Sequence, residues 1–183
     1  MKKILYLFAP MAIGIALLAS CKSNTKDAAG TAKADTTALP YKASYSSSFI
    51  ISDSTKNLLA VLQSYKDWEN DKLSNAPAYF SDTVAMDFSG GKKIKLGRDS
   101  LVHFFQKYRD SLASSKIDMV SIINLQSTDK NEEWVAVWYK QIDTYKTGKV
   151  DSAFYNDVNH IKKGKVDYVT SLRQALLGAP KKK

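Results

Sequence analysis

The sequence predicts one α+β domain: a cone-shaped, curved antiparallel sheet with three helices from its N-terminal half packed on the concave face. Two patterns support this. Between residues 54 and 115, apolar residues recur every three or four positions, as in helices that bury one face. After Ser115, apolar and polar residues alternate through four long segments, as in strands of a half-buried sheet. Helices followed by an antiparallel meander are typical of α+β domains.

The three helices follow from capping residues and apolar stripes. Asp53 or Ser54 can cap the first helix, whose stripe is Leu58, Val61, Leu62, Tyr65 and Trp68. A short second helix at 73–79 is bounded by Pro77. Asp99 or Ser100 opens the third helix, whose stripe is Leu101, Phe104, Phe105, Tyr108 and Leu112.

The strands are bounded by glycine-rich and polar turns. One strand is expected at 83–88, closed by Gly90 and Gly91. Four long strands follow at 117–125, 133–145, 150–161 and 166–173, with TDKNE, KTG and KKGK as their turns. A curved sheet of this kind, with helices on one face, encloses an apolar interior with an open mouth.

The N-terminus has the order of a secretory signal peptide at residues 1–20. Lys2 and Lys3 precede an apolar run at 4–18, and the small residues Ala19 and Ser20 follow it. The run of about 15 residues is shorter than the roughly 20 that a membrane-spanning helix needs. An exported chain is therefore expected, and a permanent transmembrane helix is the weaker alternative.

Cys21 is the only cysteine in the chain and directly follows this segment. Leu18-Ala19-Ser20-Cys21 resembles the bacterial lipobox, in which the cysteine is lipidated and becomes the mature N-terminus. The resemblance implies a lipoprotein that is exported across the inner membrane and anchored by several acyl chains to a membrane of the bacterial cell envelope. The alternative is an ordinary signal peptide with an incidental cysteine. No cysteine is left for a disulfide, a nucleophile or a metal.

The rest of the chain divides into a tether at 21–48, a domain at 49–178 and a basic tail at 179–183. The tether is rich in Ala, Ser, Thr and Lys without apolar periodicity, which is typical of flexible linkers. The formal net charge is +9, but residues 49–180 hold 18 basic and 16 acidic side chains. A nearly neutral domain predicts no nucleic-acid partner. The tether lysines either lie against anionic lipid or only solubilise the segment.

Three segments of the domain form a recognisable ordered set: LQSYKDWENDKLSNAPAYFSDTVAMDFSGG, the following GRDSLVHFFQKY, and KKGKVDYV at the last strand. This set resembles the nuclear-transport-factor-2-like superfamily, and within it the SnoaL-like proteins and ketosteroid isomerases. The resemblance spans nearly all of residues 54–173 and implies the cone-shaped fold. It says little about activity, because one fold hosts unrelated functions.

The resemblance to ketosteroid isomerases implies three catalytic positions. Tyr65 matches their helix tyrosine, Asp87 their aspartate base and Asp157 their protonated aspartic acid, each of the last two after a one-residue adjustment. Each residue has a structural alternative. Tyr65 can pack in the core, and Asp87 can cap the Gly-Gly turn. Asp157 has the strand parity opposite to Phe154 and Val158, so without a bulge it would point away from the face that they bury.

Four further residues are candidates for the pocket: Trp68, Trp134, Trp138 and His160. Trp134 and Trp138 face the same side of one strand, where they could line a pocket, form a homodimer interface of the sheet or pack in the core. His160 could enter the cavity mouth or be a partly buried structural histidine. No residue spacing indicates a metal site or a cofactor.

Two hypotheses of function follow. The favoured one is a membrane-tethered, non-catalytic module that holds a small apolar ligand or a partner in its cone. The alternative is an isomerase or cyclase in which Asp87 abstracts a proton next to a carbonyl, while Tyr65 and Asp157 hold the resulting oxyanion.

Overall fold

The computed structural model describes residues 40–176. The signal peptide at 1–20, Cys21, the tether up to residue 39 and the basic tail lie outside these residues, so their assignments remain predictions. The described residues from Tyr41 onward form one compact unit.

The described segment contains two α-helices and one 3₁₀ helix. Helix α1 spans Thr55–Glu69, the 3₁₀ helix Leu73–Ala78 and helix α2 Arg98–Arg109. The second predicted helix is therefore a 3₁₀ helix, and it contains Pro77, which has no N–H to donate. Leu112 was expected in the third helix, but it begins the next strand. Within residues 40–176, no helix is long and apolar enough to cross a lipid bilayer.

All five predicted strands are present, in slightly longer form. They are β2 (Phe80–Phe88), β4 (Leu112–Ser127), β5 (Glu132–Tyr145), β6 (Val150–Lys162) and β7 (Lys165–Ala175). Two short strands were not predicted, β1 (Phe49–Ile51) and β3 (Lys93–Gly97). Every residue of β1 is exposed, and β3 alternates exposed and half-buried residues, so neither presents a run of buried side chains.

The strands form one sheet in the order β1-β4-β5-β6-β7-β2-β3. Strands β4 to β7 pair as the predicted antiparallel meander. The expectation of a wholly antiparallel sheet is wrong at one place, because β2 pairs with β7 in parallel. This pairing brings residues of the first half of the chain next to the last strand, with Asp87 opposite Thr170.

The helices cover one face of the sheet, called here the inner face. Val135, Val137 and Tyr139 of β5 are buried there in one core cluster with Val61 of α1 and Leu101 of α2. Trp134 and Trp138 alternate with these residues and lie on the opposite, outer face. The predicted α+β architecture, with helices on one face of the sheet, is confirmed.

The end of the predicted tether contacts the domain. Tyr45 packs edge-on against Trp134, with ring centroids 5.5 Å apart, and donates a hydrogen bond to Glu132. The Ser48 carbonyl accepts a hydrogen bond of 2.9 Å from the Thr128 amide. Residues 45–48 therefore lie on the turn between β4 and β5 instead of running free of it.

Candidate functional site

A cavity of about 370 Å³ lies between the helices and the inner face of the sheet. Aromatic rings from five elements form most of its wall. They are Tyr65 and Trp68 of α1, Phe88 of β2, Phe105 and Tyr108 of α2, Tyr139 of β5 and Tyr155 of β6. Met86 of β2 adds further apolar surface. A concave, largely apolar pocket with few polar groups is the usual form of a small-molecule site.

One carboxyl group, that of Asp157, lies in the wall of this cavity. The hydroxyls of Tyr65 and Tyr139 each donate a hydrogen bond of 2.8 Å to the same oxygen, Oδ2. The second oxygen, Oδ1, has no hydrogen-bond partner of normal geometry among residues 40–176. The residue is only 5% exposed, so water gives this oxygen little compensation.

Burial controls the protonation of this cluster. It raises the pKa of Asp157 above its usual value, and the hydrogen-bonding side chains of Ser171, Tyr139 and Tyr65 oppose that rise without cancelling it. Burial, together with the charge that an ionised Asp157 would carry, also raises the pKa of Tyr65 and of Tyr139 well above the usual range. The cluster therefore favours neutral groups, and these can share hydrogen bonds with a ligand oxygen.

Asp157 faces the helices, so the expectation that its side chain points away from the buried face of strand β6 is wrong. Ala153, Tyr155 and Asp157 lie on the inner face, whereas Phe154 is 41% exposed on the outer one. The sequence prediction assumed that the apolar Phe154 and Val158 mark the buried side. On this strand the buried side instead includes the polar Asp157, which accepts hydrogen bonds from Tyr65 and Tyr139.

Asp87 lies on the other face of the sheet. Its neighbours Met86 and Phe88 line the cavity, so strand alternation directs the Asp87 side chain outward. There it pairs with Lys93 at 2.9 Å and accepts a hydrogen bond of 3.1 Å from the Tyr168 hydroxyl. The hydrogen bond from Lys93 lowers the pKa of Asp87. Of the three predicted catalytic residues, the structure brings Tyr65 and Asp157 together and leaves Asp87 apart.

The four predicted pocket residues are also divided between the two faces. Trp68 lines the cavity, and its indole N–H donates to Ser115 Oγ at 2.9 Å. Trp134, Trp138 and His160 lie on the outer face. His160 Nδ1 is 2.6 Å from Asp167, its ring lies 4.5 Å from that of Trp134, and Trp138 is 37% exposed.

Sequence reasoning missed a second polar cluster beside the cavity, centred on the buried Asp143. Ser115 Oγ donates to this carboxylate at 2.6 Å and Tyr108 at 2.9 Å. The Gln141 amide donates to both carboxylate oxygens, at 3.0 and 2.9 Å. Because Gln141 and Asp143 share the inward parity of Tyr139, alternation along β5 could have placed them on this face.

Arg173 of β7 was also missed, and it stands at the cavity wall next to Tyr155. Its Nε donates to the Tyr155 hydroxyl at 3.1 Å, and its Nη2 donates to Asp151 at 2.8 Å. The Arg173 side chain is 34% exposed, which places its guanidinium at the mouth of the cavity and not in the depth. Within residues 40–176, no group of three His, Cys, Asp or Glu side chains is arranged to hold a metal ion.

Comparison with known proteins identifies the architecture. No family model matches the sequence, and no curated protein matches it. A candidate polyketide cyclase from Xanthomonas campestris pv. campestris superposes with a TM-score of 0.53 at 18% identity, over 67% of this chain and 93% of that chain. A nuclear-transport-factor-2-like protein of unknown function from Burkholderia pseudomallei gives 0.53 at 16% identity, over 65% and 91%.

A candidate ketosteroid isomerase from Kribbella flavida is similar to the same degree. It gives a TM-score of 0.52 at 13% identity, over 70% of this chain and 84% of that chain. At sequence identities this low, the similarity shows a shared fold but not a shared activity. The described domain has the nuclear-transport-factor-2-like α+β fold.

Proposed function

We propose that this chain is a lipid-anchored, non-catalytic binding module, whose cavity holds a small, largely apolar ligand by one oxygen at Asp157. The observation that carries the proposal is the buried Asp157–Tyr65–Tyr139 cluster in an aromatic wall, with Asp87 on the opposite face. The proposed ligand is an aromatic or alicyclic molecule with a hydroxyl or carbonyl group.

The composition of the wall supports this ligand class. Aromatic rings supply apolar contact and stack with flat molecules. A buried polar cluster that still has hydrogen-bonding capacity favours a ligand that carries an oxygen over its hydrocarbon analogue, because an unmatched buried polar group is costly. Asp157 Oδ1 has no partner among residues 40–176, and because this oxygen is buried in the wall, a ligand oxygen reaches it only when a neighbouring side chain moves aside. The carboxyl group accepts a hydrogen bond when ionised and can donate one when protonated.

The position of Asp87 argues against the isomerase alternative. A general base must come within hydrogen-bonding reach of the proton that it removes. Asp87 points to the outer face and is held there by Lys93 and Tyr168. A ligand in the inner cavity therefore has no access to this carboxylate. The cyclase and isomerase descriptions belong to the similar structures and do not transfer at these identities.

The membrane anchor is proposed from the sequence alone. Cys21 at the end of an apolar leader supports lipidation, and residues 22–44 then link the anchor to the domain.

The pairing of the exposed sheet faces of two copies is a further proposal. Trp138, Phe154 and Leu172 support it as apolar side chains that are 37%, 41% and 51% exposed on the outer face.

Calorimetric titration with naphthol and with naphthalene tests the binding proposal. The wild-type domain should prefer naphthol by about fivefold to tenfold, the usual worth of one hydrogen bond in a buried site. Combining Tyr65→Phe with Asp157→Leu should remove most of that preference. The matched control is Tyr168→Phe with Asp87→Leu, an Asp–Tyr pair on the outer face, and it should keep the preference.

Two results would contradict the proposal. One is the absence of binding of either probe, and the other is loss of the preference in the control and not in the cavity variant. A parallel screen of enolisable ketones and unsaturated steroids addresses catalysis. Turnover by the wild type that Asp87→Asn abolishes would favour the isomerase alternative.

A further inference from the structure

The cavity has one cationic side chain in its described wall, that of Arg173. Strand register places Arg173 opposite Tyr155, and Ser171 opposite Asp157. The two pairs are neighbours on the inner face, separated by about 7 Å along the strands. The guanidinium and the buried carboxyl cluster therefore stand at two ends of the same aromatic surface.

The guanidinium is held in place and still has free donors. Its Nε is bound to the Tyr155 hydroxyl and its Nη2 to Asp151. Arginine has five N–H donors in a planar fork. Nη1 makes no hydrogen bond to any residue between 40 and 176 that meets normal geometry. A guanidinium that is held in place and still has unused N–H donors is suited to bind a carboxylate.

Two lysines lie in turns next to strands β2 and β5, and a further carboxyl group, that of Asp143, lies beside the wall through its hydrogen bonds with Tyr108 and Gln141. Lys92, in the turn that follows Ser89 of the cavity wall, lies 4.8 Å above the Phe104 ring. Lys149, in the turn between β5 and β6, lies 5.8 Å above the Tyr145 ring. Asp151 offsets part of the Arg173 charge, but it is 40% exposed and screened by water. Asp157, the carboxyl group in the wall, is buried, which disfavours its ionised form.

Resting on the proposed function, we propose that the cavity selects amphipathic acids. The ligand is an aromatic or alicyclic carboxylic acid whose carboxylate binds Arg173 at the mouth. One ring and a short linker separate this carboxylate from a hydroxyl or carbonyl oxygen of the ligand, and that oxygen hydrogen-bonds with Asp157 in the interior. The aromatic rings of Tyr139 and Tyr155, stacked at 5.2 Å and 7° between these two ends, contact the ligand ring.

The test compares para-hydroxycinnamate with its methyl ester, which has the same ring and hydroxyl without the charge. Titration calorimetry on the wild-type domain should show about tenfold tighter binding of the acid, as expected for a charge-assisted hydrogen bond. Arg173→Gln should reduce that ratio to near one, chiefly by weakening binding of the acid, and Arg173→Lys should keep part of it. Lys149→Gln, which removes a lysine charge outside the wall, is the matched control and should keep the ratio.

Each other result has a defined meaning. If the ester binds and the acid binds no more tightly, the acid-selective site is wrong, whereas the proposed function stands. An equal fall in the ratio for Lys149→Gln and Arg173→Gln indicates general attraction to the basic side chains of the domain and also overturns the Arg173 site. If neither compound binds the wild type, the proposed function fails and this proposal fails with it. If Arg173→Gln weakens the acid and the ester equally, so that the ratio stays near tenfold, the Arg173 site is also overturned.

Discussion

Tyr65 of α1 and Asp157 of β6 are 92 residues apart in the chain and share a hydrogen bond of 2.8 Å inside the cavity. The bond joins the helical layer to the middle of the sheet. Tyr139 donates to the same oxygen at 2.8 Å, so one carboxyl oxygen ties together α1, β5 and β6. This cluster is at once a structural junction and the polar end of the proposed binding site.

The first prediction concerns the energetics of this junction. Tyr65→Phe and Tyr139→Phe should each lower the free energy of unfolding by about 1 kcal/mol, because each leaves Asp157 with one tyrosine donor. The double variant should lose more than the sum, because the buried carboxyl then has no tyrosine donor. Urea unfolding measures all three, with Tyr168→Phe on the outer face as the control. Simple additivity would show that the two hydroxyls act independently of each other.

The second prediction concerns pH and uses the opposite shifts of two aspartates. The pKa of Asp157 is raised above 3.8, so its contribution to stability is fully present below that pH and is lost as pH rises through the folded value. Asp157→Asn should therefore gain stability relative to wild type as pH increases above about 4. The pKa of Asp87 is lowered below 3.8, so its contribution is present above that pH and lost as pH falls.

Asp87→Asn should accordingly lose stability relative to the wild type as pH rises from the pKa of Asp87 in the folded wild type to 3.8. Unfolding midpoints of the three proteins across a pH series would measure both trends. The same sign for both variants would contradict the assignment of Asp157 to a buried site and Asp87 to an ion pair.

The third prediction concerns the end of the tether. Tyr45 is 40% exposed and covers Trp134, whereas Tyr41 is 87% exposed. Tyr45→Ala should lower the melting temperature by about 3 to 5 °C and increase quenching of tryptophan fluorescence by acrylamide, because Trp134 loses a packing partner. Tyr41→Ala should change neither value. If the two substitutions behave alike, residues 41–48 act as a free linker, as the composition of the sequence suggests.

The fourth prediction concerns the anchor. Cys21→Ser should leave the chain exported but without lipid, because the sequence offers no other cysteine. Metabolic labelling with a fatty acid, followed by immunoprecipitation, would show the label on the wild type alone. Label that persists on the variant would mean that the lipobox interpretation is wrong.

Periodicity predicted the elements that bury a continuous face. Helix α1 and strands β4 to β7 lie close to their expected positions because their apolar residues recur with the period of the element. Strands β1 and β3 were missed because they are short edge strands with few buried residues. The parallel pairing of β2 with β7 leaves no local signal, because it depends on residues about 80 positions apart, such as Asp87 and Thr170.

The site was harder to predict than the fold. Tyr65 and Trp68 lie on a helical stripe and were identified from it, and both line the cavity. Asp157 was assigned the wrong parity because the sequence suggested that Phe154 and Val158 mark the buried face. What buries Asp157 is its bonding to two tyrosines from distant elements, which local hydrophobicity does not encode. Asp143 shares the inward parity of Tyr139, so alternation along β5 could have identified it, whereas the position of Arg173 at the cavity follows from the pairing of β7 with β6.

The most direct test of the binding account places the same bulky residue on each face of strand β7. Ser171 lines the cavity, and its neighbour Thr170 lies on the outer face, where it donates to the Tyr168 hydroxyl. Naphthol affinity is measured by calorimetry for Ser171→Phe and Thr170→Phe, after near-ultraviolet circular dichroism confirms that both are folded. Ser171→Phe should fill the cavity and weaken binding by about tenfold or more, whereas Thr170→Phe should bind as the wild type does. Unchanged affinity in Ser171→Phe, or a loss confined to Thr170→Phe, would contradict a ligand site on the inner face.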